Sequence, residues 1–331
     1  MIDIGSIKSR PEIINTTARL SRSDRWDHLL ARIGVRRNAH RVEPGLYALG
    51  KPNPDSLVFV TSNYTLSFDA LRSALSGFDG YILVLDTKGI NVWCAAGKGT
   101  FGTNEIVLRV MITRLGEVVR HRQLILPQLG APGVAADEVK KRTGFWVEYG
   151  PVRATDLPEY LKTRKATAEM RQVRFNLQDR LVLIPVDVIR LLLPTIAVAA
   201  ALYFVGGLML SLAVIATVLA GAALFPILLP FLPTHNFSTK GFILGGLVAL
   251  PFNLSAFLVH PGWMWWQCTG QALGFLLAMP AVTAFIALNF TGSSTFTSRS
   301  GVRREMYRYI PVMAWTFGAG ILLTGIFTLV R

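Results

Sequence analysis

Between Ile189 and Arg331 the chain passes through five apolar segments, about 189–206, 208–231, 241–259, 269–290 and 310–330. Each is close to the roughly 20 residues that carry an α-helix across the core of a bilayer. Hydrocarbon offers no partner for a backbone N–H or C=O, so such stretches pair their own backbone and fold as helices. Of 34 Lys/Arg and 20 Asp/Glu in the whole chain, this part holds seven and one, Glu305 being the acid. The remaining charges precede it, mixed in sign as on an ordinary globular domain. The expected organisation is a cytoplasmic domain at 1–162, a charged juxtamembrane linker at 163–188 and an all-α bundle of five transmembrane helices at 189–331.

Charge sets the expected orientation. The loop after the second segment carries Lys240, and the one after the fourth carries Arg299, Arg303, Arg304 and Arg308. The turn after the first segment and the loop 260–268 (HPGWMWWQC) have no Lys or Arg. The positive-inside rule then predicts a multi-pass protein of the cytoplasmic membrane, with the N-terminal domain inside and Arg331 outside. Trp263, Trp265 and Trp266 read as an interfacial aromatic belt. The segments contain no Asp, Glu or Lys, which argues against an ion pathway and leaves anchor and conduit both open. Residues 1–20 lack the basic-then-apolar layout of a signal peptide. Formal net charge is +14, but the soluble part's bases are interleaved with acids, so no nucleic-acid partner is expected. Lys162–Arg180 is predicted to be a helical connector; Arg171, Arg174, Arg180 and Arg190 suit either anionic headgroups or water.

Ahead of the connector, apolar runs alternate with helical periods. Strands are predicted at 57–63, 80–86, 122–129 and 144–152, and helices at 68–75, 104–119, 135–142 and 157–164. A further helix or two is expected within 19–41, where His28 and His40 read as surface or core residues. Strand–helix alternation of this kind gives a parallel sheet with helical crossovers. The strand ends then gather at one edge: Thr61-Ser62-Asn63-Tyr64, the stretch Asn91–Thr103, Pro127–Gly133 and Gly150–Ala154. All are small, polar or Gly/Pro-rich, as ligand loops of α/β sheets are.

NVWCAAGKGTFGT (91–103) is the most distinctive of these loops. Cys94 is one of two cysteines in the chain, so no disulfide framework accounts for it, and the residues alone leave a core role and a functional one open. Ala95, Ala96, Gly97 and Gly99 leave room for a large flat ligand to approach the backbone. Gly97–Gly102 matches GxGxxG, but ten residues separate it from the strand end at Asp86 and no acid closes the next strand, which excludes a dinucleotide fingerprint. The residue after Lys98 is Gly99, so a P-loop also fails. His121 is the nearest histidine for a Cys–His pair. Cys268 reads as a passive interfacial residue. No Asp-x-His-x-x-Gly string is present, so a corrinoid would need another protein ligand to cobalt, and a thiolate is a soft donor of that kind.

NVWCAAGK (91–98) closely resembles the cap-helix motif of the HgcA family, the membrane-anchored corrinoid proteins of microbial mercury methylation. VTSNYTLSFDALR (60–72), LILPQLGAPGVAADEVKK (124–141) and VEYGPVRATDLPEYL (147–161) resemble segments of that family and of the large subunit of the corrinoid iron–sulfur protein of acetyl-CoA synthesis. Five C-terminal spans also match the family's layout. The resemblance implies a Rossmann-like, parallel-sheet corrinoid-binding domain and a corrinoid-dependent methyltransferase that passes methyl from cobalt to Hg(II). It implies Cys94 as the lower axial cobalt ligand to a base-off, cobalamin-type corrinoid. Asn91, Val92, Trp93, Ala95, Ala96, Gly97 and Lys98 would shape the cap. Thr61, Asn63, Tyr64, Gln128, Leu129, Gly130, Gly150, Pro151, Val152, Arg153 and Ala154 would hold the corrin and its tail. A ferredoxin-like 4Fe–4S partner (HgcB in the family) would supply electrons, and a folate-linked donor or methyltransferase the methyl group. Two other readings stay beside it: a methyl carrier of C1 metabolism with another acceptor, and a non-catalytic membrane-anchored sensing domain.

Overall fold

The computed structural model describes residues 11–36, 39–259, 262–291 and 299–329. The first ten residues, read above for a leader, and Arg331, read for orientation, lie outside them. The chain separates into two compact units, one of residues up to 31 plus 35–173, the other of 32–34 plus 174 onward.

The first unit is a six-stranded sheet: β1 (Ile13–Thr16), β2 (Gly45–Leu49), β3 (Val58–Ser62), β4 (Gly80–Leu85), β5 (Gln123–Leu126) and β6 (Trp146–Tyr149), in the order β1-β2-β4-β3-β5-β6. The helices are α1 (Arg22–Arg32), α2 (Thr65–Ala74), α3 (Val92–Lys98), α4 (Thr103–Ile112), α5 (Leu115–Val118), α6 (Ala136–Thr143) and α7 (Leu157–Thr163). The four expected strands are β3–β6, and all three of their pairings are parallel. The sheet as a whole is mixed, because β2 pairs antiparallel with β4. Residues alternate between two buried faces. Val58, Val60, Leu83, Leu85, Leu124 and Leu126 face α3 and α4, whose Ala95, Ile106 and Val110 join the same cluster. Phe59, Ile82, Val84 and Ile125 face the other way, with Phe68 and Leu71 of α2 and Leu157 and Tyr160 of α7. Burial on both faces explains why these strands read as continuous apolar runs.

The single helix expected over 104–119 is broken at Arg114, whose φ of 50° is left-handed. A straight helix would rotate Leu115 about 140° from the face of Val110. The break returns Leu115 to full burial in the core that holds Val110.

In the second unit α8 (Leu177–Leu181), α9 (Ile184–Leu219), a π-turn at Ala220–Leu224 and α10 (Phe225–Leu228) run on as one 52-residue stretch. With α11 (Phe237–Leu258), α12 (Trp265–Phe290) and α13 (Arg299–Leu329), this makes four helical stretches long and apolar enough to cross a membrane, where the sequence predicted five. The first contains the missing boundary. Gly207, at φ 77° and ψ −166°, is not helical. Beyond it Thr217 meets Thr283 and Gly221 meets Ile286, so this half runs parallel to α12. Before it, Asp187 and Arg190 line one cavity with Asn289, at the far end of α12. The stretch is therefore a hairpin folded at Gly207.

Small residues let the helices touch. A Cβ on Gly241 would lie 2.5 Å from the Ala284 Cα, and one on Gly245 2.5 Å from the Pro280 Cα, so α11 and α12 meet backbone to backbone. Two cations expected at a membrane surface are internal instead. Lys240 is buried at the start of α11 and donates to the carbonyls of Leu229 and Leu232 at 2.8 and 2.7 Å. Arg180 is buried in α8 and donates to the carbonyls of Pro226 and Ile227, both at 2.9 Å. Arg180 satisfies carbonyls of the last turn of α10, and Lys240 those of the chain that follows it. The linker, predicted as a helix, is turns and loop from 164 to 176.

Candidate functional site

The strand order reverses at β3: the chain leaves it through α2 to β4 on one side and later places β5 on the other. Crevices for ligands open outside the carboxyl ends of strands at such a point. A cavity of about 330 Å³ lies there, walled by the ends of β3 and β5, the first turns of α2 and α3, and the loop after β6. Its lining is mostly apolar (Val60, Leu71, Leu126, Val152, Leu157), with Thr61, Ser67 and Asn91 as the polar exceptions.

Asn63 builds the approach to α3. Its buried amide oxygen accepts from the Thr87 N–H (3.0 Å), the Thr87 hydroxyl (2.9 Å) and the Gly89 N–H (3.0 Å), and its amide nitrogen donates to Asp86 at 3.2 Å. Glu105 accepts from the Asp86 N–H at 2.8 Å and is itself held by Arg109 at 2.7 Å. The β4–α3 loop is thus fixed from both sides. Asn91 then caps α3, its side chain accepting from the Cys94 N–H at 2.9 Å. Gly99, at φ 81°, ends the helix in the left-handed conformation.

Cys94 sits in the first turn of α3, partly exposed, while Ala95 and Ala96 turn into the core. The space left by these small residues is taken up by the protein itself. A Cβ on Gly133 would lie 3.0 Å from the Ala96 Cα and 2.2 Å from the Phe101 carbonyl, and one on Gly130 2.5 Å from the Phe101 ring. The 3₁₀ turn Gln128–Gly133 therefore packs directly on α3, and Gly97, Lys98 and Gly99 face solvent.

Of the residues expected at the site, Thr61, Asn91, Val92, Trp93, Leu129, Pro151, Val152 and Ala154 line the cavity. Asn63, Ala95, Ala96 and Gly130 stand behind it as supports. Tyr64, which precedes the first turn of α2, Gln128, Gly150 and Arg153 neighbour lining residues without lining it themselves, and Cys94, next in sequence to Trp93, does not line it either. Ser67, Ala70 and Leu71 of α2 belong to the wall and were not singled out from the sequence. Their Ser/Ala/Leu spacing inside VTSNYTLSFDALR was the available signal.

His121 lies before β5, at the opposite end of the sheet from Cys94, and its Nε2 is 2.9 Å from the Ser56 carbonyl. A Cys–His pair is thereby excluded. His28 pairs with Asp69, and His40 with Asp27, each at 2.7 Å, so both are structural. No group of three or more His, Cys, Asp or Glu that could hold a metal ion occurs among the described residues. On the far side of β6, Tyr160 donates to Glu148; burial and the neighbouring carboxylate push its phenol well above the usual tyrosine range.

Comparison with known proteins falls on this unit. Residues 34–161 match the family described as the CO dehydrogenase/acetyl-CoA synthase delta subunit. Among curated proteins, the gamma subunits of the acetyl-CoA decarbonylase/synthase complex from Archaeoglobus fulgidus and Methanopyrus kandleri are 35% and 36% identical over 126 and 129 residues. These alignments cover 37% and 38% of this chain and 26% and 27% of the relatives. The corrinoid/iron–sulfur protein large subunit of Moorella thermoacetica is 28% identical over 155 residues, 44% of this chain and 34% of that one. The chain thus spans only about a quarter to a third of the length of these relatives. The family match takes in β2–β6, α3 and every loop of the cavity, and the chain is similar to gamma subunits of the acetyl-CoA decarbonylase/synthase complex and to the large subunit of a corrinoid/iron–sulfur protein.

Proposed function

We propose that this protein is a membrane-anchored corrinoid methyl carrier that uses Cys94 as the lower axial ligand of cobalt and delivers methyl to Hg(II). The observation that carries the reading is the position of Cys94. It sits in the Asn91-capped first turn of α3, next in sequence to the cavity-lining Trp93, inside the segment that matches the CO dehydrogenase/acetyl-CoA synthase delta-subunit family.

The residues present suit such a cofactor. A cavity of about 330 Å³ is at the small end for enclosing a whole ligand, and so suits one end of a larger molecule. The donor beside it is a lone, partly exposed sulfur, a soft ligand suited to a transition metal. When bound, the corrinoid supplies the chemistry itself, its cobalt taking up a methyl group and giving it to an acceptor. The chain's own contributions are binding and control. Asn91 orients the first turn of α3 and with it the thiol. Apolar walls at Val60, Leu126 and Val152 exclude water from the buried end. Cys94 would hold the metal through its sulfur, a soft donor, and a cobalt held in that way would supply methyl to a soft electrophile such as Hg(II). The site contains no residue placed as a general acid or base.

Two cysteines fall short of the four thiolates that a 4Fe–4S cluster takes, so low-potential electrons come from a partner carrying such clusters, a role filled in the HgcA family by HgcB. The methyl donor is folate-linked. In this reading the α/β unit is cytoplasmic, as the positive-inside rule expects from Arg299, Arg303, Arg304 and Arg308, with the helical unit as its anchor. The test of the acceptor is direct: load the full-length protein with methylcobalamin and follow methyl release anaerobically with and without Hg(II). Methylmercury formation that depends on Cys94 supports the reading. Release only to a C1-pathway acceptor replaces mercury with that acceptor, and absence of cobalamin uptake favours a sensing domain.

A further inference from the structure

The family match ends at Leu161, but the α/β unit does not. Residues 165–172 form a strap with neither helix nor strand that returns across the sheet end to the cavity loops. Three hydrogen bonds close a ring there. The Gln128 N–H donates to the Pro151 carbonyl (3.3 Å), the Val152 N–H to the Met170 carbonyl (2.8 Å), and Arg171 Nη1 to the Gln128 side-chain oxygen (2.8 Å). Pro151 and Val152 line the cavity, and Gln128 immediately precedes its Leu129 wall. Met170 is buried in the cluster that contains Leu157, a further cavity wall.

We propose that this strap is part of the cofactor-holding site, with Met170 and Arg171 as positioning residues that fix the spacing of the β5 and β6 loops and so govern how fast the cavity's occupant leaves. The proposal rests on the corrinoid reading above. Its physical basis is connectivity. The β5 and β6 loops are joined directly by the Gln128–Pro151 backbone bond, flanked by Gly150 N–H to the Leu126 carbonyl (2.8 Å) and the Tyr149 hydroxyl to the Val134 carbonyl (3.0 Å). The strap adds a link on the outer side, anchored at one end by a buried methionine and at the other by a charge-assisted hydrogen bond. Opening the cavity mouth by separating the loops requires breaking the Arg171–Gln128 contact or withdrawing Met170. Arg164, Lys165 and Arg171 also make the strap a trypsin substrate whenever it lifts.

The test uses full-length protein in detergent, loaded with hydroxocobalamin, and measures cobalamin release by its absorbance after rapid dilution. Arg171→Ala and Gln128→Ala are each expected to speed release roughly three- to tenfold. The double variant releases no faster than the faster single one, because both break one contact. Arg171→Lys recovers part of the loss. A purely structural role for Arg171 predicts instead a lower melting temperature of the cobalamin-free protein and unchanged release. Cobalamin is also expected to slow tryptic cleavage at Lys165 and Arg171. Wild-type release rates in both single variants, or additive effects in the double variant, overturn the proposal while leaving the corrinoid reading intact. No cobalamin uptake by the wild type overturns both.

Discussion

The side chain of Asn91 accepts a hydrogen bond from the backbone nitrogen of Cys94 at 2.9 Å, so the residue that starts α3 also sets the attitude of the turn that carries the thiol. Replacing Asn91 with Ala is expected to cost about 1 kcal/mol of stability, the usual value for a lost N-cap. Urea denaturation of the α/β unit's transition in the full-length protein measures it. Asn91→Asp, which keeps an acceptor, retains most of the stability.

Asn63 carries more. Its side chain makes four hydrogen bonds, to Thr87 twice, to Gly89 and to Asp86, in a buried setting. Asn63→Leu leaves the Thr87 and Gly89 N–H groups without their acceptor, while the Thr87 hydroxyl keeps the Ile90 carbonyl, and a loss of about 2–4 kcal/mol is expected. Faster amide hydrogen exchange at 86–91 locates the effect in the loop before α3. Exchange that quickens evenly over the sheet would contradict that assignment.

Gly133 is where the β5 loop meets α3. An added Cβ would lie 2.2 Å from the Phe101 carbonyl, a backbone atom that cannot swing away. Gly133→Ala is expected to cost about 1–3 kcal/mol as an overpacking substitution and to weaken whatever the cavity binds. Gly99→Ala tests strain of a different kind, since its Cβ meets nothing within 4 Å but φ is 81°; about 1 kcal/mol is expected there.

Tyr160 predicts a pH dependence at the alkaline end. Burial, and then Glu148, raise its folded-state pKa above the ordinary value of 10.0. A raised pKa means that its contribution is complete below pH 10 and is lost as pH climbs above 10 toward the folded value. Tyr47, Tyr81 and Tyr149 shift the same way through burial. Tyr160→Phe is therefore expected to make the fall in stability above pH 10 shallower without abolishing it. Thermal melts of both proteins between pH 8 and 11 give the comparison.

Gly207 holds the hairpin of the first membrane stretch. Its φ of 77° with ψ of −166° is accessible essentially to glycine alone. Gly207→Ala is expected to cost about 1–3 kcal/mol. Protease protection and detergent-resistant melting report whether the two halves still fold back on each other.

The sequence showed most plainly what is periodic. The β3–β6 strands are buried on both faces and announce themselves as apolar runs, and the carboxyl-end loops followed from strand–helix alternation. β1 and β2 escaped notice because each is at most five residues long and no helical period frames it. The Pro44-Gly45 and Gly50–Pro54 turns around Leu46–Leu49 were the usable signal. Lys240 and Arg180 misled because a charge beside an apolar run resembles a surface residue in sequence. Only the fold shows that Arg180 binds the last carbonyls of α10 and Lys240 those of the turn after it. The small residues after Cys94 were read as room for a ligand, but Ala96 and Gly133 use that room to pack a loop against a helix.

The role proposed for Cys94, ligand to cobalt, is open to a direct spectroscopic test. Full-length protein in detergent, reconstituted anaerobically with cobalamin, should give an ultraviolet–visible spectrum of a base-off corrinoid whose bands move when Cys94 is changed to Ala. Stoichiometric binding with superimposable spectra for wild type and Cys94→Ala would contradict it, leaving a corrinoid in the cavity without the thiolate.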